Sequence, residues 1–418
     1  MIQGTIFKTF VSRFLILILN FGLVIYSTNT WGSEGKGIIS IVIADLTIVS
    51  FMANIFVGSS MSYFASKYKT EKIIPFAYIW SIIIGVLLPF ALSFHHGLEY
   101  SNYLICLSVF SSLLAANVNL FIGQKNIKMF NMYTILQQLV HIVFIFGIVY
   151  IFKITSVDSY FIAQIFCFAL LFVISTFQVL KKCNVKNISF SKQIAYKLFD
   201  YGWKTQLSSF LQFLNNRLSF YFLEYFKGII SVGIFSIGIA FSEAMWTVSK
   251  SLSVILYADV VNRENSNAAI EKTKVSLRVS FLVTLFFIVI MLLIPGKLYS
   301  MIFGKDFSNT KEIILFLSPG ILAIAVSNII GYYFAGINKL RILNTKSLIG
   351  LVFTFISSLF VIPRWGILGA CIITSISYCL SSSLLFWKFY QDTEFRFRDF
   401  ILSKSEINLL LNEVFRKK

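Results

Sequence analysis

Six ionisable residues stand inside long apolar runs of this 418-residue sequence: Arg13, Asp45, Lys204, Arg217, Glu243 and Lys250. An ionised side chain in hydrocarbon costs several kcal/mol unless it meets a partner or water, so each marks a candidate functional position. Lys204, Ser208, Gln212 and Asn215/Asn216 follow one another at steps of three or four and form one polar stripe on a helix. Ser236, Glu243, Thr247 and Lys250 repeat the pattern further on, and Arg13, Asn20 and Ser27 recur at sevens. Such stripes cannot face lipid, and together they predict a hydrated, cation-rich cavity.

The chemistry of this set is binding. Arg217 reads as lining the cavity or pairing within it. Arg13 and Lys204 lie near the ends of their runs, where snorkelling to the surface competes with lining. Glu243 is expected to be a proton site or the counter-charge to Arg217, and Asp45 a second candidate for ion coupling, to a proton or to sodium. His141, beside Gln137 and Gln138, reads as an interhelical hydrogen-bonding residue. There is no Asp-x-Asp in an exterior loop, no Walker loop and no His/Cys ligand cluster, so neither an enzyme nor a metal or cofactor site is expected.

The elements that carry these residues are membrane spans. Hydrophobic residues make up 57% of the chain and charged ones 13%, which excludes an aqueous globular domain. Runs of about 20 apolar residues, the length of a spanning helix, read at Thr9–Ser27, Ile38–Ile55, Ile74–Ser93, Leu104–Ile122, Met132–Phe152 and Phe161–Leu180. Six more follow at Tyr201–Phe222, Ile230–Val254, Leu277–Ile294, Ile313–Phe334, Ile342–Ile362 and Ile367–Phe386. All six in-span charges fall on the first two helices of each set.

Net charge is +18, and its distribution orients the chain. With the N-terminus in the cytoplasm, 25 of the 36 Lys and Arg residues lie inside and 7 outside, which places both termini in the cytoplasm. In that count Lys339, Arg341 and Lys346 are loop residues after the tenth span. Nucleic acid is not expected as a partner, since no soluble basic domain exists. The five cysteines show no Cys-x-x-Cys spacing.

A repeat divides the chain. Gly37-Ile-Ile-Ser-Ile-Val-Ile-Ala44 opens the second span and Gly233-Ile-Phe-Ser-Ile-Gly-Ile-Ala240 the eighth, with six of eight positions identical. The expected organisation is a six-helix bundle over 1–185, a cytoplasmic linker over 186–200, a second bundle over 201–390 and an amphipathic tail over 391–418. The fold class is therefore an all-α polytopic membrane protein with 12 transmembrane helices in two parallel-repeat six-helix bundles around a central cationic cavity.

Local sequence motifs add a resemblance. Trp31-Gly-Ser-Glu-Gly-Lys-Gly37, Tyr201-Gly-Trp-Lys204, Asn215-Asn-Arg217, Val232-Gly-Ile-Phe-Ser236 with Glu243, Phe303-Gly-Lys-Asp-Phe307 and Gly366-Ile-Leu-Gly-Ala370 occur in an order that resembles the Wzx-type polysaccharide flippases. These belong to the multidrug/oligosaccharidyl-lipid/polysaccharide exporter superfamily. The resemblance implies a V-shaped pair of bundles in the bacterial inner membrane that moves undecaprenyl-diphosphate-linked oligosaccharide, for O-antigen or another surface polysaccharide, by alternating access. Arg13, Asn20, Lys204, Gln212, Asn216, Arg217, Glu243 and Lys250 would then line the substrate cavity, and a polymerase and a chain-length regulator would be pathway partners. Two other readings stand beside it: a polytopic repeat-unit polymerase, and a drug/cation antiporter of the same superfamily.

Overall fold

The computed structural model describes residues 2–96, 100–181, 183, 189–261, 266–337, 339–395 and 400, and the side chains within these ranges apart from those of 2–13, 93–96, 248, 252, 254–261, 266–269 and 340. The described residues are almost wholly helical: α1 (Ile2–Val57), α2 (Ser59–Phe64), α3 (Thr70–His96), α4 (Ser101–Gly123), α5 (Ile127–Phe146), α6 (Asp158–Leu180), α7 (Lys192–Lys227), α8 (Ile229–Val261), α9 (Ser266–Leu293), α10 (Gly296–Phe303), α11 (Thr310–Gly336) and α12 (Leu340–Thr393).

Nine stretches of helix among the described residues are long and apolar enough to cross a membrane, and two of them, Phe14–Phe64 and Arg341–Thr393, are double length. The long helices α1 and α12 each break at one glycine, Gly32 (φ 63°) and Gly366 (φ 54°), a left-handed backbone that glycine adopts without a Cβ clash, and Gly58 separates α1 from α2. The twelfth span is α7. Its 36 residues are long enough to cross, and its polar stripe keeps it out of the apolar set. The twelve expected spans are thus all present as helix, and the chain is a polytopic membrane protein. α7 begins at Lys192, so residues 192–200 of the expected linker are helix, with Lys204 and Asp200 paired one turn apart.

The chain forms two compact units, Met1–Ser236 with Ser300–Phe307, and Ile237–Tyr299 with Ser308–Lys418. In unit one, polar side chains bridge buried helices in place of water. Asn117 of α4 donates to Ser175 Oγ (2.9 Å) and Thr176 Oγ1 (3.0 Å) of α6 and accepts from Tyr78 Oη of α3 at 2.6 Å. His141 Nε2 meets the Tyr160 carbonyl at 3.2 Å, the interhelical role expected of it.

The break at Gly32 is held by the segment 300–307. Ser33 opens the second leg of α1, and its N–H (3.3 Å) and Oγ (2.6 Å) both donate to Asp306 Oδ2, which places a carboxylate on free N–H groups at a helix start. Trp31 Nε1 donates to the Thr155 carbonyl at 2.8 Å, and Asn29 Nδ2 to that of Ile302 at 2.6 Å. In this way the motif at Trp31–Gly37 and the motif at Phe303–Phe307 meet.

Unit two packs α9, α11 and α12 around Leu277, Ile329, Ile330, Phe334, Leu385 and Phe389, and buries Phe395 and Phe400 in the same core. The start of the expected amphipathic tail is therefore docked on the bundle. Residues 396–399 and 401–418 lie outside the described residues.

Candidate functional site

In unit one, the second leg of α1 lies directly against α7. A Cβ at Gly202 would overlap the Ile55 backbone, so glycine at this position permits the approach. Phe51 packs on Phe210 and Phe213 with ring centroids 5.8 and 5.3 Å apart, and Tyr63 stacks on Tyr201 at 4.6 Å.

Three of the expected site residues stand together on α7. Gln212 Nε2 donates to Asn216 Oδ1 at 2.9 Å, and the half-buried Arg217 holds its guanidinium 4.9 Å from the centre of the Phe220 ring. A guanidinium is planar and always charged, and an aromatic face is a favourable seat for it. Lys204 sits apart, three turns earlier, with Nζ 2.8 Å from Asp200 Oδ2 and both groups well exposed.

Asp45 of α1 is 4% exposed, and Tyr221 Oη donates to its Oδ1 at 2.7 Å. Arg217 and Glu224, one turn before and one after Tyr221 on α7, both act on that hydroxyl electrostatically. Asp45, expected from the sequence to be a candidate for ion coupling, thus has a phenol as one partner. Sequence reasoning passed over Tyr221, although its spacing of four from Arg217 places it on the same helix face.

The other expected residues are distributed. Asn20 is exposed on the first leg of α1. Glu243 is half-buried on the part of α8 that belongs to unit two, and Lys250, two turns further along, holds Nζ 5.9 Å from the Trp246 ring. The side chain of Arg13 lies outside the described residues. Among the described residues no group of three or more His, Cys, Asp or Glu could hold a metal ion.

Scanned against protein-family models the sequence matches none, and a search of curated proteins gives no match. Solved structures do match, over nearly the whole chain. The MATE multidrug transporter DinF-BH, in a ligand complex, superposes with a TM-score of 0.70 at 16% identity, covering 96% of both chains. A mutant of the Vibrio cholerae MATE transporter VcmN gives 0.66 at 11% identity over 96% of this chain and 99% of its own. The lipid II flippase MurJ in an inward closed conformation gives 0.65 at 15% identity over 99% and 92%. This chain has the fold of the MATE and MurJ transporters. At these identities the likeness establishes fold, and the choice of cargo has to be argued from side chains.

Proposed function

We propose that this chain is a flippase, which carries an anionic lipid-linked oligosaccharide across a bacterial inner membrane, with both termini in the cytoplasm. The observation that carries this reading is α7, a helix long enough to span that gives up apolar character to hold the bonded pair Gln212 and Asn216, with Arg217 next to them in the chain. A polar glycan and a diphosphate cannot cross hydrocarbon unaided, whereas a polyprenyl tail can stay in lipid. Arg217 and Lys250 supply charge for the diphosphate, with Arg13 and Lys204 as further cations. Asn20, Gln212 and Asn216 supply hydrogen bonds for sugars. Glu243 and Asp45 are the acidic candidates for ion coupling.

The sign of the charge supports this cargo over a drug cation, because the six in-span residues read from the sequence are four basic and two acidic. An undecaprenyl-diphosphate-linked repeat unit fits that balance. The two six-helix halves, 1–185 and 201–390, would alternate access around the stripe-bearing helices.

The deciding experiment follows lipid-linked repeat units in cells that lack the protein, with a periplasmic sugar-modifying enzyme reporting sidedness. Intact units trapped on the cytoplasmic leaflet and released by re-expression are the expected result. Units that reach the periplasm and remain single repeats would make the protein a polymerase instead.

A further inference from the structure

Unit two contains an intramembrane cation that the census of spans passed over. Lys346 lies six residues into α12, about 9 Å from its start, and is only 8% exposed. Its Nζ donates to Ser327 Oγ of α11 at 3.0 Å. Ser327 precedes the end of α11 by nine residues, about 14 Å, and residues 337–339 join the two helix ends. The ammonium is therefore held deeper than its own Cα, the reverse of snorkelling toward the helix end.

An ammonium has three donors and carries a full charge. Among the described residues, its acceptor is one neutral hydroxyl. Next to Ser327, Asn328 Nδ2 donates to Ser249 Oγ of α8 at 2.9 Å, so α8, α11 and α12 share a polar seam that ends at Lys346. Asn344 Oδ1, two residues away on α12, is buried with no hydrogen-bond partner.

Among the described residues, the charged and titratable groups on the surrounding elements are engaged elsewhere, exposed or removed along the helix; the side chain of Asp259 on α8 lies outside them. On α12, Lys339 pairs with Asp392 at 2.8 Å and Arg341 is exposed. On α11, Glu312 is fifteen residues from Ser327, and Tyr332 and Tyr333 follow it by five and six. On α8, Lys250 lies over Trp246, with Glu243 seven residues before it. On α9, Glu271 pairs with Lys274 at 3.0 Å and Arg278 lies over Phe395.

A buried charge without a counter-charge is tolerated only while water or hydrogen bonds reach it, and otherwise the group sheds its proton. We propose that Lys346 gains and loses a proton as this seam gains and loses water during transport, and thereby couples transport to a proton gradient. The inference rests on the transport reading above and assigns its coupling group to a residue other than Glu243 or Asp45.

The test uses the full-length protein in proteoliposomes containing a fluorescent polyprenyl-diphosphate oligosaccharide, with and without an imposed gradient of about two pH units, a driving force of up to about 100-fold. Wild type is expected to change its initial rate by about tenfold, within that ceiling. Lys346→Met and Lys346→Gln, which cannot carry the proton, and Lys346→Arg, which cannot release it, should move cargo at a rate indifferent to the gradient. Two substitutions of different polarity guard against one that fails to fold, with monodispersity checked for each. A wild type that moves cargo without responding to the gradient, or a Lys346→Gln variant that still responds, overturns the inference and leaves the flippase intact. A wild type that moves no cargo removes the transport reading and the inference with it.

Discussion

Tyr221→Phe would take away one hydroxyl and leave the rest of the ring in place. The partner it abandons is the buried carboxylate of Asp45, and a buried group that loses a hydrogen bond costs about 1–3 kcal/mol. That loss of stability is the expected outcome, measured by denaturant unfolding in mixed micelles, and an unchanged unfolding midpoint would show that Asp45 is solvated by other means. Lys204 forms the contrast, since its exposed pair with Asp200 resembles a surface salt bridge worth at most about 1 kcal/mol. At this scale charge makes Asp45, Arg217 and Glu243 conspicuous in the sequence, since each interrupts an apolar run. Lys346 is inconspicuous by contrast, because it stands close to the start of the expected span Ile342–Ile362, among the loop cations Lys339 and Arg341. Its depth is set by where Ser327 of another helix holds the ammonium, and no local spacing reports that.

Helices that touch through backbone need glycine at the point of contact, and the repeated octapeptide supplies it twice. A Cβ at Gly37 would overlap the carbonyl of Ile229, and a Cβ at Gly233 would overlap the carbonyl of Ser33. The contact is reciprocal, each glycine resting on the residue four positions before the other. This local two-fold gives a physical reason for the recurrence of the sequence: both copies must present the same small surface to each other. Gly233→Ala is therefore expected to destabilise the protein by about 3 kcal/mol or more, the upper end for overpacking because backbone cannot rotate aside. Gly22→Ala, which meets nothing within 4 Å, should be neutral or gain up to about 1 kcal/mol from restricting the unfolded chain. Thermal unfolding of the purified variants in one detergent compares the two. Equal midpoints would mean that the interface yields at no cost. The breaks at Gly32 and Gly366 belong to the same scale. The sequence placed a loop between the paired spans, and the structure instead carries helix through each junction with one residue out of line.

For the molecule as a whole, fold and cargo separate. The helical succession is legible in the sequence because spanning length and hydrophobicity are fixed by the bilayer, and α7 is legible with it because the apolar residues between its polar positions still fill a spanning length. The compact units were not legible in the same way. Hydrophilicity divides the chain near residues 186–200, whereas Gly202 on Ile55 and Tyr221 on Asp45 tie α7 to the first helices by contacts that composition does not encode. Since the same fold serves a multidrug transporter and a lipid II flippase, the discrimination between cargoes must come from the sign and placement of a few charges. Arg217→Glu reverses one such charge beside Asn216 while leaving the helix a strong helix former. If Arg217 meets a diphosphate, the variant should lose at least about tenfold in export of lipid-linked units, since a lost charge-assisted contact is worth about 1.5–3 kcal/mol before repulsion is added. Wild-type protein should give no resistance to cationic dyes on overexpression. The opposite pattern, resistance that vanishes in Glu243→Gln and glycan export untouched by Arg217→Glu, would assign the stripe to a cation and make the chain a drug antiporter.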